Sequence, residues 1–563
     1  MTPSLRSTFC LAALLVPTLA LPALARERSE VPTKYTWNLA DLYPTVEAWN
    51  KAKADLASRV GAIASYQGHL GDSPAKFYEA VAARFEYDRQ LAQLQTYASQ
   101  LGDEDTRISL HREMQDAAEQ LGVDFRSAIA WMRPEILALG AGRVRDVLAA
   151  EPRLKPYTPW LEDILRYEPH TLSAAEEKVV ARAGRMARAG ASVRDVFNNA
   201  EMPWPTITLS SGAKVRLDDA AYTEYRQLGN RADRDSVFRA FFLQHQAFQG
   251  TYGATLAARV QVQLFNKDVR HYDSCLQAAL FGDNIPTRVY TQLIDDVHAN
   301  LPTLHRYLRL RQRMMGLPSL RYEDLYAPIV KDVDLHYTPE QAMDMVLSAV
   351  APLGQAYVDT LRHGFASRWV DWFPSTGKAS GAYSTGAYGY HPYQLQNFTG
   401  LYDEVGTLAH ESGHSMHTYL ADMHQPYVTH DYATFVAEVA STLNENLLLH
   451  DMLDRTRDRP TRLFLLGSAL ENMRTTMFRQ TMFAEFELRI HEKAERGEQL
   501  SGENMSKLYL DLVRQYYGHD AGVCTVDPLY GVEWTYIPHF FRDFYVFQYA
   551  TSIIASTALA NGI

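Results

Sequence analysis

GTLAHESGHSMHTYLAD, residues 406–422, is the stretch on which the reading of this chain turns, because it sets His410, Glu411 and His414 in the order H-E-x-x-H. On a helix the two histidines stand one turn apart on one face, where both imidazoles can hold a single metal ion. Glu411 then stands beside them, able to take a proton from a water at that ion. Val405, Leu408, Ala409, Met416 and Tyr419 fall roughly opposite His410, His414 and His417. The apolar side can therefore be buried while the imidazoles line a cavity. An amphipathic helix carrying a metal site is the first expectation.

The second anchor is DYATFVAEVASTLNENLLLH, residues 431–450. Tyr432, Phe435, Val436, Val439, Leu443 and Leu447 recur at helical spacing, and Glu438 falls off that stripe on the side of Thr442 and Glu445. The connection between the two stretches contains Gln425 and Pro426 and is long enough to reverse the chain. An antiparallel return makes Glu438 a third metal ligand; without it Glu438 is a surface carboxylate. Two histidines and one glutamate form a ligand set that leaves zinc an open position for water. Glu445 reads either as the acceptor of a ligating histidine's free ring N–H or as an exposed glutamate, and His417 is placed with it in the shell around the ligands.

Four segments together resemble oligoendopeptidase F, in the thimet-oligopeptidase-like family of zinc metallopeptidases. They are GKASGAYSTGAYGYHPYQLQNFTG (377–400), HESGHSMH, QPYVTHDYATFVAEVASTLNE (425–445) and IPHFFRDFYVFQYATS (537–552). The likeness runs from YTWNLADLYP (35–44) through ALFGDNIPTRVYTQLI (279–294) to the end of the sequence. It implies one zinc ion per chain held by His410, His414 and Glu438, with Glu411 as general base. It also implies that His539 and Tyr549 steady the substrate carbonyl and its oxyanion, with Tyr545 as a second tyrosine. The fold it implies is mainly α, with two lobes flanking a deep channel that admits oligopeptides and excludes folded proteins, and a small β-sheet beside the zinc helix whose edge receives the peptide. Enzymes of this kind usually continue beyond the position of Ile563, so part of the channel wall or of the packing behind Tyr549 is expected to be missing.

Read from its start, the chain opens with MTPSLRSTFCLAALLVPTLALPALA, where Arg6 precedes an apolar run that closes on Ala23-Leu24-Ala25. This is the pattern of a signal peptide cut after residue 25, and Pro17, Pro22 and the short run argue against a permanent membrane helix. The mature protein is expected to be exported, to a periplasm or the medium, with no stable insertion in the membrane. The full chain carries 55 basic and 66 acidic residues, a net charge of -11, and removal of Arg6 with the leader makes it -12. Such a balance, without a basic cluster, excludes nucleic acid as a partner. Cys275 and Cys524 remain after the leader; they can form one bridge at most, and two buried thiols are the expectation.

Residues 26–205 read as an N-terminal helical domain, with a capping box at Ser173 and Glu176, and 206–563 as the catalytic domain. A hairpin about Ser211-Gly212 marks the seam. The stretch 377–400 is too rich in glycine for a helix and too aromatic for an idle loop. YQLQNF (393–398) is expected to be a strand along which a peptide adds itself through main-chain bonds, with Gly381, Tyr383, Tyr393 and Asn397 as substrate contacts; the alternative is a structural hairpin. The aromatic spacing of Tyr545 and Tyr549 alone would put both in the core. The functional expectation is a zinc endopeptidase acting on internal bonds of short peptides. The other class compatible with these features is an exported helical peptide-binding or scaffold protein without turnover.

Overall fold

The computed structural model describes residues 26–330, 333 and 335–563; the expected signal peptide at 1–25 lies outside the described residues. The chain is mainly helical with two small sheets. Its first long helices are Val46–Val60, Pro74–Glu104, Ser109–Ile129 and Met132–Ala150; the second runs through Gly102, and the fourth carries Pro134 in its first turn. Ser73 caps Pro74–Glu104 by accepting from the Lys76 N–H, and the Ser173–Glu176 box closes reciprocally at the start of Ala174–Ala183. The seam is a two-stranded antiparallel hairpin, β1 (Thr206–Thr208) and β2 (Lys214–Arg216), with Gly212 at φ +84° in its turn.

Two large cores lie beyond the hairpin. One joins residues of 202–325 to residues of 478–550, including Phe238, Phe241, Tyr322, Phe486 and Tyr509. The other packs Val346, Leu361 and Trp372 against Val405, Leu408, Ala409 and Met416, the apolar face of the motif helix Tyr402–His424. Cys275 and Cys524 are both buried and free.

A second sheet of three strands sits beside the motif helix in the order β3 (Val370–Asp371), β5 (Tyr393–Leu395), β4 (Tyr383–Thr385). β3 runs parallel to β5, and β4 antiparallel to it with Ser384 opposite Gln394. The sheet is anchored to the motif helix by Ser384 and Gln394, whose side chains reach Ser415 Oγ at 2.8 and 2.9 Å. Its other face belongs to the N-terminal helices, since Tyr393 and Leu395 share a core with Trp49, Leu94 and Phe125.

The first described residues close this sheet from outside. The Trp372 N–H donates to the Tyr35 carbonyl and the Asn38 N–H to the Arg368 carbonyl. Arg28 pairs with Glu104 at 2.6 Å and with Asp371 at 2.8 Å, and the buried Lys378 pairs with Asp371 at 2.7 Å. Gly377 permits this join. It has φ +83°, and a Cβ there would lie 2.3 Å from Asp105 Oδ1.

Candidate metal centre and its cleft

The motif helix starts with Glu404 accepting from the N–H groups of Thr399, Gly400 and Leu401, and runs unbroken to His424. The chain then reverses through Pro426 and a short turn, braced by His430 Nδ1 against Asp422 at 2.8 Å. It returns as the facing helix Thr434–Arg455. The two helices cross closely at Gly413, where a Cβ would lie 2.5 Å from the Ala440 carbonyl oxygen and 2.6 Å from Ser441 Cα. Asn444 fastens the crossing by donating to the Ala409 carbonyl at 3.2 Å.

This crossing brings Glu438 onto the motif. Its Oε2 lies 3.3 Å from Nε2 of both His410 and His414, whose rings stand 4.9 Å apart at 80°. One ligand atom from each of the three residues falls within 4.8 Å of the others, the one such group among the described residues. Ser441 Oγ donates to the same Glu438 oxygen at 2.8 Å and fixes its rotamer. Of the two readings open for Glu445 the structure has the first: it is hydrogen-bonded to His410 Nδ1, which leaves Nε2 facing Glu438.

The electrostatics favour a cation between these groups. Burial works against a charged His410, yet its hydrogen bonds to Glu438 and Glu445 hold the imidazole up, at about 10. Hydrogen bonds from His410 and His414 hold the Glu438 carboxyl far below the usual range. Glu411 is buried beside them, and desolvation raises its carboxyl. Three carboxylates converge on two imidazoles, and imidazole nitrogens with a carboxylate oxygen are a donor set that suits zinc. The residues present fit that ion.

His410, Glu411 and Glu445 line a cleft of about 580 Å³ with Thr407, Thr442 and Ala382. Ala382 directly precedes β4, so the edge strand of the sheet opens onto the site. The expectation that a peptide pairs with YQLQNF is thereby corrected. β5 is the central strand and both its edges are taken, whereas the far side of β4 carries no strand among the described residues. Tyr393 is also corrected as a substrate contact, because it is fully buried and its hydroxyl donates to the Asn38 carbonyl at 3.2 Å. Tyr383 turns towards the N-terminal helices and donates to Asp103 at 2.6 Å. Asn397 is a brace, its amide holding the carbonyls of Ala379 and Gly381 at 3.0 and 2.7 Å. Gly381 remains exposed next to Ala382.

His417 does not join the ligand network. It stacks on Tyr432 at 3.7 Å and lines a different cavity with Tyr357, His424 and Ala440. Seven residues on from His410, His417 lies on nearly the same side of the helix but about 10 Å further along its axis, beyond the reach of an ion held by His410 and His414.

His539, Tyr545 and Tyr549 form one cluster. The His539 ring lies 6.0 Å from that of Tyr549 and 6.5 Å from that of Tyr545, and the two tyrosines stand edge to face at 5.3 Å. Burial, with Arg542 and Arg194 nearby, lowers the His539 imidazole, so at neutral pH it is an uncharged N–H donor. Burial and a hydrogen bond with Tyr545 push the Tyr549 phenol up, which keeps its proton in place; Glu438 adds to this from across the site. Phe544 sets the approach to the C-terminal helix, Phe547–Gly562. It is held at φ +52°, its N–H donating at 2.8 Å to the buried Glu487. That helix packs on the facing helix through Ser552 to the Phe435 carbonyl and Asn446 to Ser556.

Sequence reasoning missed Gly413, Ser441 and the π-helical turn Met473–Phe478 on the cleft wall. For Gly413 the signal is present, since a glycine between two ligands on a helix has little local reason to be there. The described residues contain no helix long and apolar enough to cross a membrane.

Residues 225–562 match the family model "Peptidase family M3", and residues 135–203 match "Oligopeptidase F". Oligopeptidase PepF of Bacillus subtilis is 38% identical over 537 residues, 95% of this chain and 80% of that protein. The crystal structure of a Chlamydophila abortus protein superposes with a TM-score of 0.89 at 34% identity, covering 95% of this chain and 89% of that one. Oligoendopeptidase-F of Enterococcus faecium gives a TM-score of 0.68 at 29% identity over 92% and 87% of the two chains.

Proposed function

The chain belongs to peptidase family M3, and on that footing we propose that it is a zinc-dependent endopeptidase hydrolysing internal bonds of short oligopeptides. The observation that carries this reading is the convergence of His410, His414 and Glu438 within 4.8 Å, with Glu411 beside His410 on the cleft wall. A bound zinc ion would be held by those three residues and would supply Lewis acidity to the attacking water and to the scissile carbonyl.

The other steps belong to the protein. Glu411, raised by burial, is poised to take a proton from the water as it attacks and to hand it to the departing amine. Glu445 holds the His410 ring in one tautomer and orientation. Tyr549 and the neutral His539 donate to the oxygen on which negative charge develops, and Tyr545 orients the Tyr549 hydroxyl. The substrate backbone pairs with the free edge of β4, next to Gly381 and Ala382, which orders it without selecting side chains. Helices of 46–129 pack on the face of this sheet through Tyr383, Tyr393 and Leu395 beside the free edge, which supports entry of short, extended chains. The signal-peptide pattern of residues 1–25 supports a location outside the cytoplasm.

A mixed peptide library, incubated with the protein with and without chelator and read by mass, tests this. Internal cuts in peptides of roughly 5 to 20 residues are expected, abolished by chelator, while intact folded domains resist. Glu411→Gln should retain zinc and lose about 10²- to 10⁴-fold in turnover. Unchanged behaviour of the variant, with peptides bound but never cut by either form, would leave a peptide-binding protein in its place.

A further inference from the structure

A third cavity, of about 710 Å³, has His539 on its wall and does not include Tyr549 in its lining. It is formed between the hairpin region, which supplies Arg194, Asp219 and Arg226, and the later core, which supplies Tyr326, Gln480 and His539. The protein leaves a polar atom of each of these six residues buried without a partner: Arg194 Nε, Asp219 Oδ1, Arg226 Nε, the Tyr326 hydroxyl, Gln480 Oε1 and His539 Nδ1. Buried polar groups in folded proteins are nearly all hydrogen-bonded, and this wall is unusually poor in partners. The six atoms themselves are enclosed, so the groups a ligand would meet are the wall's open donors, above all the terminal nitrogens of Arg226, which make no hydrogen bond among the described residues.

The sign of the charge identifies the ligand's class. Four other buried arginines each have a carboxylate partner: Arg234 with Asp324 at 2.8 Å, Arg311 with Glu471 at 2.7 Å, Arg474 with Glu471 at 2.8 Å and Arg479 with Glu533 at 2.7 Å. Arg226 has none among the described residues. Its guanidinium rests only on the rings of Tyr326 and Tyr222, at 4.4 and 5.2 Å. Arg194 pairs at 3.1 Å with Asp195, which is exposed outside the cavity. Asp219 is the one carboxylate on the wall, and its other oxygen already accepts from Asn198 at 2.7 Å. Three guanidinium groups therefore line the cavity against one acid, and of these Arg479 is already spent on Glu533, which leaves Arg226 and Arg194.

We infer that this cavity is a subsite for a carboxylate of the peptide substrate, bound by Arg226 and Arg194 beside His539. The inference rests on the endopeptidase reading and adds a preference that main-chain pairing alone would not produce. A planar guanidinium meets a carboxylate through two parallel bonds, and stacking on Tyr326 keeps Arg226 oriented for this. The carboxylate can be the peptide's C-terminus or an acidic side chain.

The test uses the zinc-loaded full chain and matched peptide pairs: one sequence as free acid and as C-terminal amide, and one with Glu or Gln at each internal position in turn. In one of the two series the acidic member should exceed its neutral twin by about tenfold in kcat/KM, chiefly through KM. The series that responds names the source of the carboxylate. Arg226→Gln should erase that difference and leave the neutral twin unchanged. Asn199→Asp, an exposed position on the cavity wall, should do the same by adding a like charge without touching the core. Equal treatment of acid and neutral peptides by the parent protein, or equal loss on both in Arg226→Gln, overturns the subsite. If no peptide is cut at all, the endopeptidase reading fails separately, and calorimetric binding of the same pairs still decides whether the cavity prefers the acid.

Discussion

A single hydrogen atom at Gly413 is what allows three ligands to share one ion. Because the atoms facing it are backbone, a methyl group there cannot be absorbed by a rotamer change, and the two helices must part. Gly413→Ala is expected to lose about 1–3 kcal/mol of stability. It should also lose about 10- to 100-fold in zinc affinity, because Glu438 and its brace Ser441 move with the facing helix. Thermal unfolding with and without zinc, and metal titration, would show both; a variant with normal affinity would mean that the crossing does not position Glu438. Tyr549 is judged by a different measurement. If its hydroxyl meets the developing oxyanion, Tyr549→Phe lowers kcat by about 10²-fold with KM nearly unchanged. A change confined to KM would return it to a packing role.

At the level of elements, the open edge of β4 sets how a peptide lies. Peptides N-methylated at alternate backbone positions should split into two classes, one hardly affected and one weakened by about tenfold for each lost bond. A uniform effect along the peptide would argue against strand addition. The helices that build the site were legible from spacing because each carries a long periodic signal: the motif helix buries Val405, Leu408, Ala409 and Met416 as its pattern implies. The strands were not. β5 reads as an edge from its own residues, and only the pairing of Val370–Asp371, far earlier in the chain, makes it central. The facing helix also departs from its apolar stripe. Val436 is 41% exposed, while Ser441 and Asn444 are buried, since the close approach at Gly413 calls for small and hydrogen-bonding groups there. The last helix begins only at Phe547, after Phe544 takes a left-handed conformation that is incompatible with helical hydrogen bonding; no local pattern announces this.

Over the whole molecule, the division of the chain at 205 does not divide its interior, because the sheet of 370–395 shares a core with helices of 46–129. The ion pairs of Arg28 and Lys378 with Asp371 join the two ends of that arrangement. Arg28→Ala would strip a partner from two carboxylates, Glu104 and the buried Asp371, and is expected to cost about 3 kcal/mol, read as a lower denaturant midpoint. No loss would mean that Lys378 alone satisfies Asp371. If the leader is cut as its pattern implies, the same segment becomes the new N-terminus, and intact mass of the protein from its native source should begin at Arg26. The join also has a bearing on timing. Arg28 and Asp371 are 343 positions apart, so the outer margin of the sheet is sewn only after most of the chain has been made. Contacts of such separation form late. Arg28 and all three strands precede the H-E-x-x-H residues in the chain, so what must wait is the closure of this join and not the making of its parts. A chain in which the join has not closed would hold the motif without a settled strand edge to present a peptide to it, and so would be slow to cut.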